Sequence, residues 1–445
     1  MMLTLTLATA SALNGALVAS FLACIPGLHI YNALGLLLWF AYRSAAAGNL
    51  PPVVLIPGFV AMIAAWSTAN SIPSILLAAP DESALHTVLP GQKMLLSGKG
   101  REAVLLTAIG SLISVTVLML CAPFLPYILP VIHTVTRPHL HWILWCLILF
   151  LLLSEWPKAL PPALPPLRRF LFASKSTAVG SLVFLLSGIL GFILFFRSPL
   201  PVERAFQNLM PAFVGLFTMP WLILNGLSKR SIPAQSTGSA FPTLRARSVS
   251  HGALAGIFGG AFAAFFPVIT GGIGGMLAGH ATAMRDNQSF LVSQGASKSL
   301  YYTGGTLLLC VPGLHLTRGG GAWLLRGVAT PSTISDYSLA LGGAAIGVAI
   351  SILLLDPLAR WVLKGAHHVG FQRLSLIAAA LAMALVAFFG RLPGLAVMLI
   401  ATGMGLLTLF YGTRRMNALG VILLPMACSL SGIAPLVTRF LFHPF

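Results

Sequence analysis

An all-α, polytopic integral membrane protein is the fold class this sequence predicts, and three observations carry the prediction. Of 445 residues, 57% are hydrophobic and only 8% are charged, whereas an ordinary soluble domain carries roughly a quarter charged residues. The charges are clustered, which leaves residues 1–42, 44–80, 103–136 and 248–284 uncharged. Shorter windows closed by charge at both ends, 176–196, 374–390, 392–413 and 416–438, each have about the 20 residues that one helical span needs. Barrel strands would show weak alternating segments of about ten residues instead. The reading is therefore about ten to twelve membrane segments, some re-entrant or broken, in a multi-pass protein of the cell membrane.

Taken in order, Met1 to Ala23 is apolar with no Lys or Arg ahead of it and no small-residue cleavage site, so it reads as a retained first helix. Cys24, Cys121, Cys146, Cys310 and Cys428 form no CxxC pair, which points to buried thiols rather than a zinc site or a disulfide framework. Net charge is +18. In this apolar chain that excess reads as loop topology, with no nucleic-acid partner. The cations fall in four groups: Lys158, Arg168, Arg169 and Lys175; Lys229, Arg230, Arg245 and Arg247; Arg360, Lys364 and Arg373; Arg414 and Arg415. The positive-inside rule makes these loops cytoplasmic, facing anionic headgroups. Lys93, Lys99 and Arg101 read as interfacial anchors.

The chain reads as one membrane domain, 1–445, built from two related halves. The stretch 228–250 holds Pro233, Pro242 and several Ser and Thr residues and serves as the connecting loop between 1–227 and 251–445. GALVASFLACIP at 15–26 aligns without gaps on GIFGGAFAAFFP at 256–267, and CIPGLHI at 24–30 also matches CVPGLHL at 310–316. The first alignment is favoured because both of its segments run into a Gly and Pro break, as inverted-repeat transporters require.

Those breaks are where chemistry is expected. In the first half Pro26, Gly27, His29 and Asn32 interrupt one apolar run, and Asn70, Ser71, Pro73 and Ser74 interrupt the next. In the second half Phe265 to Gly279 holds Pro267, Thr270, Gly271, Gly272, Gly274 and Gly275. Helix breaks free backbone groups that lipid cannot satisfy, so they occur where they are buried or line a wet cavity. A half-helix N-terminus there presents N–H donors and partial positive charge, suited to an anion. Single glycines in membrane helices mostly serve close packing; it is the paired breaks that point to function. Pro26, Gly27, His29, Asn32, Ser71, Pro73, Thr270, Gly271, Gly272 and Gly274 are thus the expected substrate-binding residues. With only eight acidic residues in the chain, Asp81, Glu82 and Asp286, with Asn287, are expected to bind the coupling ion.

SIPSILLAAPDESALHTVLPGQKMLLSGKGREA at 71–103 resembles the loop of the tripartite tricarboxylate transporter large membrane subunit (TctA) family, in particular its archaeal branch. There a Pro-rich break leads to a Pro-Asp/Glu pair, a Leu-Pro-Gly turn and a Gly-x-Gly-x-Glu-Ala element. IPGLH at 25–29 and the segment 267–297 fit the same family, and residues 79–100 depart from its bacterial pattern. The resemblance implies a permease for carboxylate-type anions driven by an H⁺ or Na⁺ gradient. It also implies a small membrane subunit and an extracytoplasmic solute-binding protein as partners.

The expected function is therefore secondary transport of an organic anion, carboxylate or tricarboxylate, with a small anionic solute, a coupling cation, membrane lipids and a second copy of the chain in a homodimer as partners. A translocase for a polyprenyl-phosphate lipid carrier would use the same half-helix N-termini. A membrane-embedded enzyme is the alternative from another class, but HExxH, DDxxD and Gly-x-Ser-x-Gly are all missing and carboxylates are scarce. No catalytic residue, metal or cofactor is expected.

Overall fold

The computed structural model describes residues 2–43, 51–80, 82–83, 88–157, 165–200, 208–228, 232–235, 244–282 and 286–442. Regular structure among them is entirely helical. The first helices are α1 (Met2–Leu22), α2 (Ile30–Arg43), α3 (Pro52–Ala69), α4 (Ser71–Leu76), α5 (Val88–Leu96), α6 (Gly100–Cys121), α7 (Leu125–Thr136) and α8 (Leu140–Leu153). Then come α9 (Pro166–Phe196) and a run made of α10 (Met210–Phe213), a π-turn (Val214–Thr218) and α11 (Met219–Leu227). They are followed by α12 (Ala246–Phe265), α13 (Gly271–Ala281), α14 (Asn287–Cys310), α15 (Gly319–Arg326), α16 (Ile334–Val369), α17 (Phe371–Phe410), α18 (Gly420–Leu430) and α19 (Ala434–Phe442).

Eight helical stretches among the described residues are long and apolar enough to cross a membrane. One of them, Gly100–Leu153, has 54 residues, about 80 Å of helix against a hydrocarbon core of about 30 Å; it bends at the 3₁₀ turns Ala122–Phe124 and Arg137–His139. α17 is kinked at Arg391, whose φ is 51°, between the two windows the charges had marked off. α14, with 24 residues, falls outside the eight because Ser, Thr, Gln and Lys side chains lower its hydropathy. It is nonetheless almost wholly buried.

The described chain forms two compact units, Met1–Ile132 with Leu222–Ala379 and His133–Trp221 with Ala380–Phe445. In the first, α3 packs against α1 and α16, and α14 packs against α12 and α6. Small residues make these contacts close: Gly252, Gly256 and Gly260 of α12 lie directly on the backbones of Ser289, Ser293 and Ser297, and Gly343 of α16 lies on Pro57. Lipid supplies no hydrophobic drive between helices, so close backbone approach supplies the attraction. Arg101, expected as an interfacial anchor, is buried instead. It binds Asp356 of α16 through Nε–Oδ1 at 2.8 Å and Nη2–Oδ2 at 3.0 Å, because a bidentate carboxylate is the partner that makes burial of a guanidinium tolerable. In the second unit α9 packs on α18, and Trp145 Nε1 donates to Ser431 Oγ at 2.8 Å.

The breaks expected near 25–32 and 267–279 are found at 23–29 and 266–270. Gly271 to Gly279 are helical, a correction to the expected extent of the second break. Gly274 and Gly259 lie against each other's backbones, and this α12–α13 contact offsets the helix-weakening of about 1 kcal/mol per glycine. The two breaks have the same shape. Each turns at a proline, Pro26 or Pro267, then passes through a residue of positive φ, Gly27 at 81° or Val268 at 54°, and resumes helix at Ile30 or Gly271. The alternative match also turns, with Gly313 at φ 75°, but its helix resumes only at Gly319.

Candidate functional site

His29 and Thr270 occupy the same place in the two breaks, each just ahead of a restarting helix. Thr270 is the N-cap of α13, with its hydroxyl accepting from Ile273 N–H at 3.4 Å. His29 does the equivalent for α2, accepting the Tyr31 N–H on Nδ1 at 3.2 Å. That bond occupies Nδ1 as an acceptor, so the neutral imidazole carries its proton on Nε2. Nε2 lies 3.3 Å from Glu82 Oε1 and 3.0 Å from the Tyr302 hydroxyl. Tyr302 in turn donates to Glu82 Oε1 at 3.1 Å and accepts from Ser83 Oγ at 3.1 Å. Glu82 is 7% exposed, so this ring of neutral donors is what surrounds a buried carboxyl.

The second break reaches the same segment from its other side. A Cβ on Gly272 would stand 2.9 Å from the Glu82 carbonyl oxygen and 3.4 Å from that of Ser83. Glycine is therefore required here to seat the N-terminus of α13 on residues 82–83. Gly271 approaches the backbone of Lys298 in the same way, with a Cβ distance of 3.2 Å to its Cα, and its carbonyl accepts from Ser297 Oγ at 2.8 Å.

Lys298 is buried on α14, one helical face along from Tyr302. Its ammonium donates to Asn70 Oδ1 at 2.5 Å and sits 4.9 Å from the centre of the Trp66 ring. Asn70 is the hinge between α3 and α4, and Trp66 packs 4.9 Å from the His29 ring. One helix turn before Lys298, both side-chain polar atoms of Gln294 are buried without a hydrogen-bond partner, as are Trp66 Nε1 and Thr303 Oγ1. Buried polar groups are nearly always paired, with ordered water or ligand where protein does not serve.

The structure thus brings together Pro26, Gly27, His29, Thr270, Gly271, Gly272 and Glu82. Asn32, Ser71 and Pro73 are buried in the adjoining helices; Ser71 Oγ donates locally to the Thr68 carbonyl at 2.8 Å. Gly274 lies against the Gly259 backbone of α12. Asp286 lies at the far end of α14. It caps α14, accepting from Ser289 N–H at 2.8 Å and Ser289 Oγ at 2.6 Å, and the 12 residues of α14 from there to Lys298 span about 18 Å. Burial alone would raise the Asp286 carboxyl, but the Ser289 bonds outweigh it and hold it below the ordinary value. Asn287 begins α14 beside it. Asp81 lies outside the described residues. Asn70 had been read as part of a helix break, whereas Lys298, Tyr302, Trp66 and Gln294 were not singled out from the sequence; the signal available was a lysine amid small residues in an otherwise uncharged stretch.

Residues 10–420 match the tripartite tricarboxylate transporter TctA family. The chain belongs to that family. A TctA protein is a tricarboxylate transporter component. The chain is also similar to an uncharacterized protein of Methanocaldococcus jannaschii, 27% identical over 383 residues that cover 83% of this chain and 87% of the relative. That similarity is consistent with an archaeal-type TctA branch. No solved structure matches the chain.

Proposed function

We propose that this TctA protein is a proton-coupled permease for a small organic anion bearing carboxylates, tricarboxylates among them. The observation that carries the reading is that both helix breaks meet on Glu82 and Ser83 beside the buried Lys298. The N-terminus of α13 and the Lys298 ammonium supply positive potential for a carboxylate, one as a dipole end and the other as a full charge. A substrate carboxylate at Lys298 would accept a charge-assisted hydrogen bond from the ammonium that Asn70 holds in place. Glu82 is the proton carrier. Protonating the Glu82 carboxyl removes the negative charge that would repel an anion. Na⁺ is the weaker choice, since hard cations favour about six oxygen ligands and here His29 Nε2–H points at the same carboxylate. The matching breaks, and the parallel packing of α1–α3 with α16 and of α12–α14 with α6, support two related halves. Family membership supports a small membrane subunit and a solute-binding protein as partners.

Purified protein in proteoliposomes tests the reading by uptake of di- and tricarboxylates under an inward proton gradient or an inward sodium gradient. The expected result is proton-driven uptake, lost in Glu82→Gln, with carboxylate exchange across equilibrated membranes retained by that variant. Uptake that follows sodium alone, or a Glu82→Gln protein that still accumulates substrate on a proton gradient, would overturn it.

A further inference from the structure

Buried side-chain polar atoms without a hydrogen-bond partner gather in two places among the described residues. One is the site above. The other lies wholly in the second unit and comprises Thr177 Oγ1, Trp221 Nε1, Thr413 Oγ1, and Nε and Nη1 of Arg415. The Arg415 guanidinium stands 4.6 Å from the centre of the Trp221 ring, and its Nη2 donates to the Phe217 carbonyl at 3.3 Å. Phe217 belongs to the π-turn, a distortion that occurs often at functional sites.

The charge around Arg415 is unbalanced. Lys175 lies over the Tyr411 ring at 6.0 Å, and Arg414 Nη1 donates to Ser154 Oγ at 2.7 Å. Among the described residues the nearby carboxylate is Glu155, which accepts from the Arg414 backbone N–H and from Asn417 Nδ2, both at 2.9 Å. Its hydrogen bonds are therefore to neutral groups, and no salt bridge reaches Arg415 among the described residues. A cation buried without a counter-charge is strongly destabilising. Trp and Arg side chains only donate, and a Thr hydroxyl can donate as well as accept, so an acceptor would serve all of these orphans.

We propose that the second unit binds a phosphate group at Arg415 and Trp221. The planar guanidinium offers Nε–H and Nη1–H as a fork for two phosphate oxygens, Trp221 Nε1–H donates to the same anion, and the Thr413 hydroxyl serves the remaining oxygen. The basic cluster here, which continues along α9 to Arg168 and Arg169, adds attraction for an anionic headgroup. A phospholipid headgroup and free phosphate share this chemistry. The donor atoms are closed off from solvent in this conformation, so binding requires the surrounding side chains to move apart.

The test is thermal unfolding of the delipidated full-length protein in neutral detergent. Inorganic phosphate is titrated against sodium chloride at matched ionic strength, and nanodiscs of phosphatidylcholine alone are compared with nanodiscs containing phosphatidylglycerol. Stabilisation of the parent by phosphate identifies a soluble ligand, and stabilisation by phosphatidylglycerol alone identifies a lipid headgroup; either carries the proposal. Trp221→Phe keeps the ring and removes one donor, so half-saturation should rise about tenfold, and Arg415→Met should abolish the effect. If the parent gains no more than Arg415→Met from either anion, or Arg415→Met is simply more stable than the parent in all conditions, the guanidinium has no anionic ligand and the proposal fails.

Discussion

Lys298 and His29 illustrate how much of the site's chemistry is set by immediate neighbours. The Lys298 ammonium is buried against the Asn70 amide and the Trp66 indole face. Replacing Lys298 with Met should weaken carboxylate binding by about 2 kcal/mol, roughly thirtyfold in Kd, measured by ligand-induced thermal shift; affinity unchanged would remove Lys298 from the site. Backbone strain is a second residue-scale feature. Val268 is β-branched at a φ of 54°, where a side chain costs about 1–2 kcal/mol. Val268→Gly should therefore cost no stability despite glycine's greater chain entropy, whereas Gly27→Val, in the matching turn, should destabilise by about 1–2 kcal/mol. A third prediction concerns pH. Because the Asp286 carboxyl is held below its ordinary 3.8 in the folded protein, its cap stabilises α14 above that pH and is lost as pH falls through the lowered value. Hydrogen exchange in the first turn of α14 should accelerate in that acid window, and Asp286→Asn, which still caps, should not show the change.

Helices in this protein are held by backbone approach, and neighbouring glycines of one helix can differ completely in what they do. Gly342 of α16 has nothing within 4 Å of where a Cβ would sit, while at Gly343 that position collides with the Pro57 backbone of α3. Gly342→Ala should be neutral or stabilising by up to about 1 kcal/mol. Gly343→Ala should destabilise by about 1–3 kcal/mol, the usual range for overpacking. Thermal unfolding of the two variants side by side checks the pair, and equal melting temperatures would show that α3 and α16 are not in this register. The same reasoning revises what Gly272 is for. Any side chain there pushes on the Glu82 carbonyl, so Gly272→Ala should disturb the His29–Glu82–Tyr302 cluster before it obstructs a passing solute.

At the scale of the whole molecule, the four basic clusters should share the cytoplasmic face. Cysteines introduced at Ser174 and Arg245, after replacement of the exposed Cys121 and Cys146, should both react with an impermeant maleimide in inverted vesicles and resist it in intact cells; labelling from opposite sides would break the topology. Membrane residence, helical class and the places where helices break were legible in the linear sequence, because each is a local property. Hydropathy over about 20 residues decides insertion, and Pro26 and Pro267 mark breaks because proline removes a helix hydrogen bond, although α3 and α16 run through Pro57 and Pro357. Glu82 and His29 stood out for the same reason, as rare polar groups in apolar runs. Lys298, Tyr302 and Gln294 did not, since in α14 they look like ordinary residues of a modestly polar helix. Only the fold buries that helix between α6 and α12 and turns these side chains toward the breaks. The contacts of Gly274 and Asp286 are likewise set by packing, one by the facing backbone of α12 and the other by the first turn of α14. Local chemistry determines which segments cannot rest quietly in lipid, but which polar groups satisfy one another depends on residues hundreds of positions apart, and only the tertiary structure brings those together.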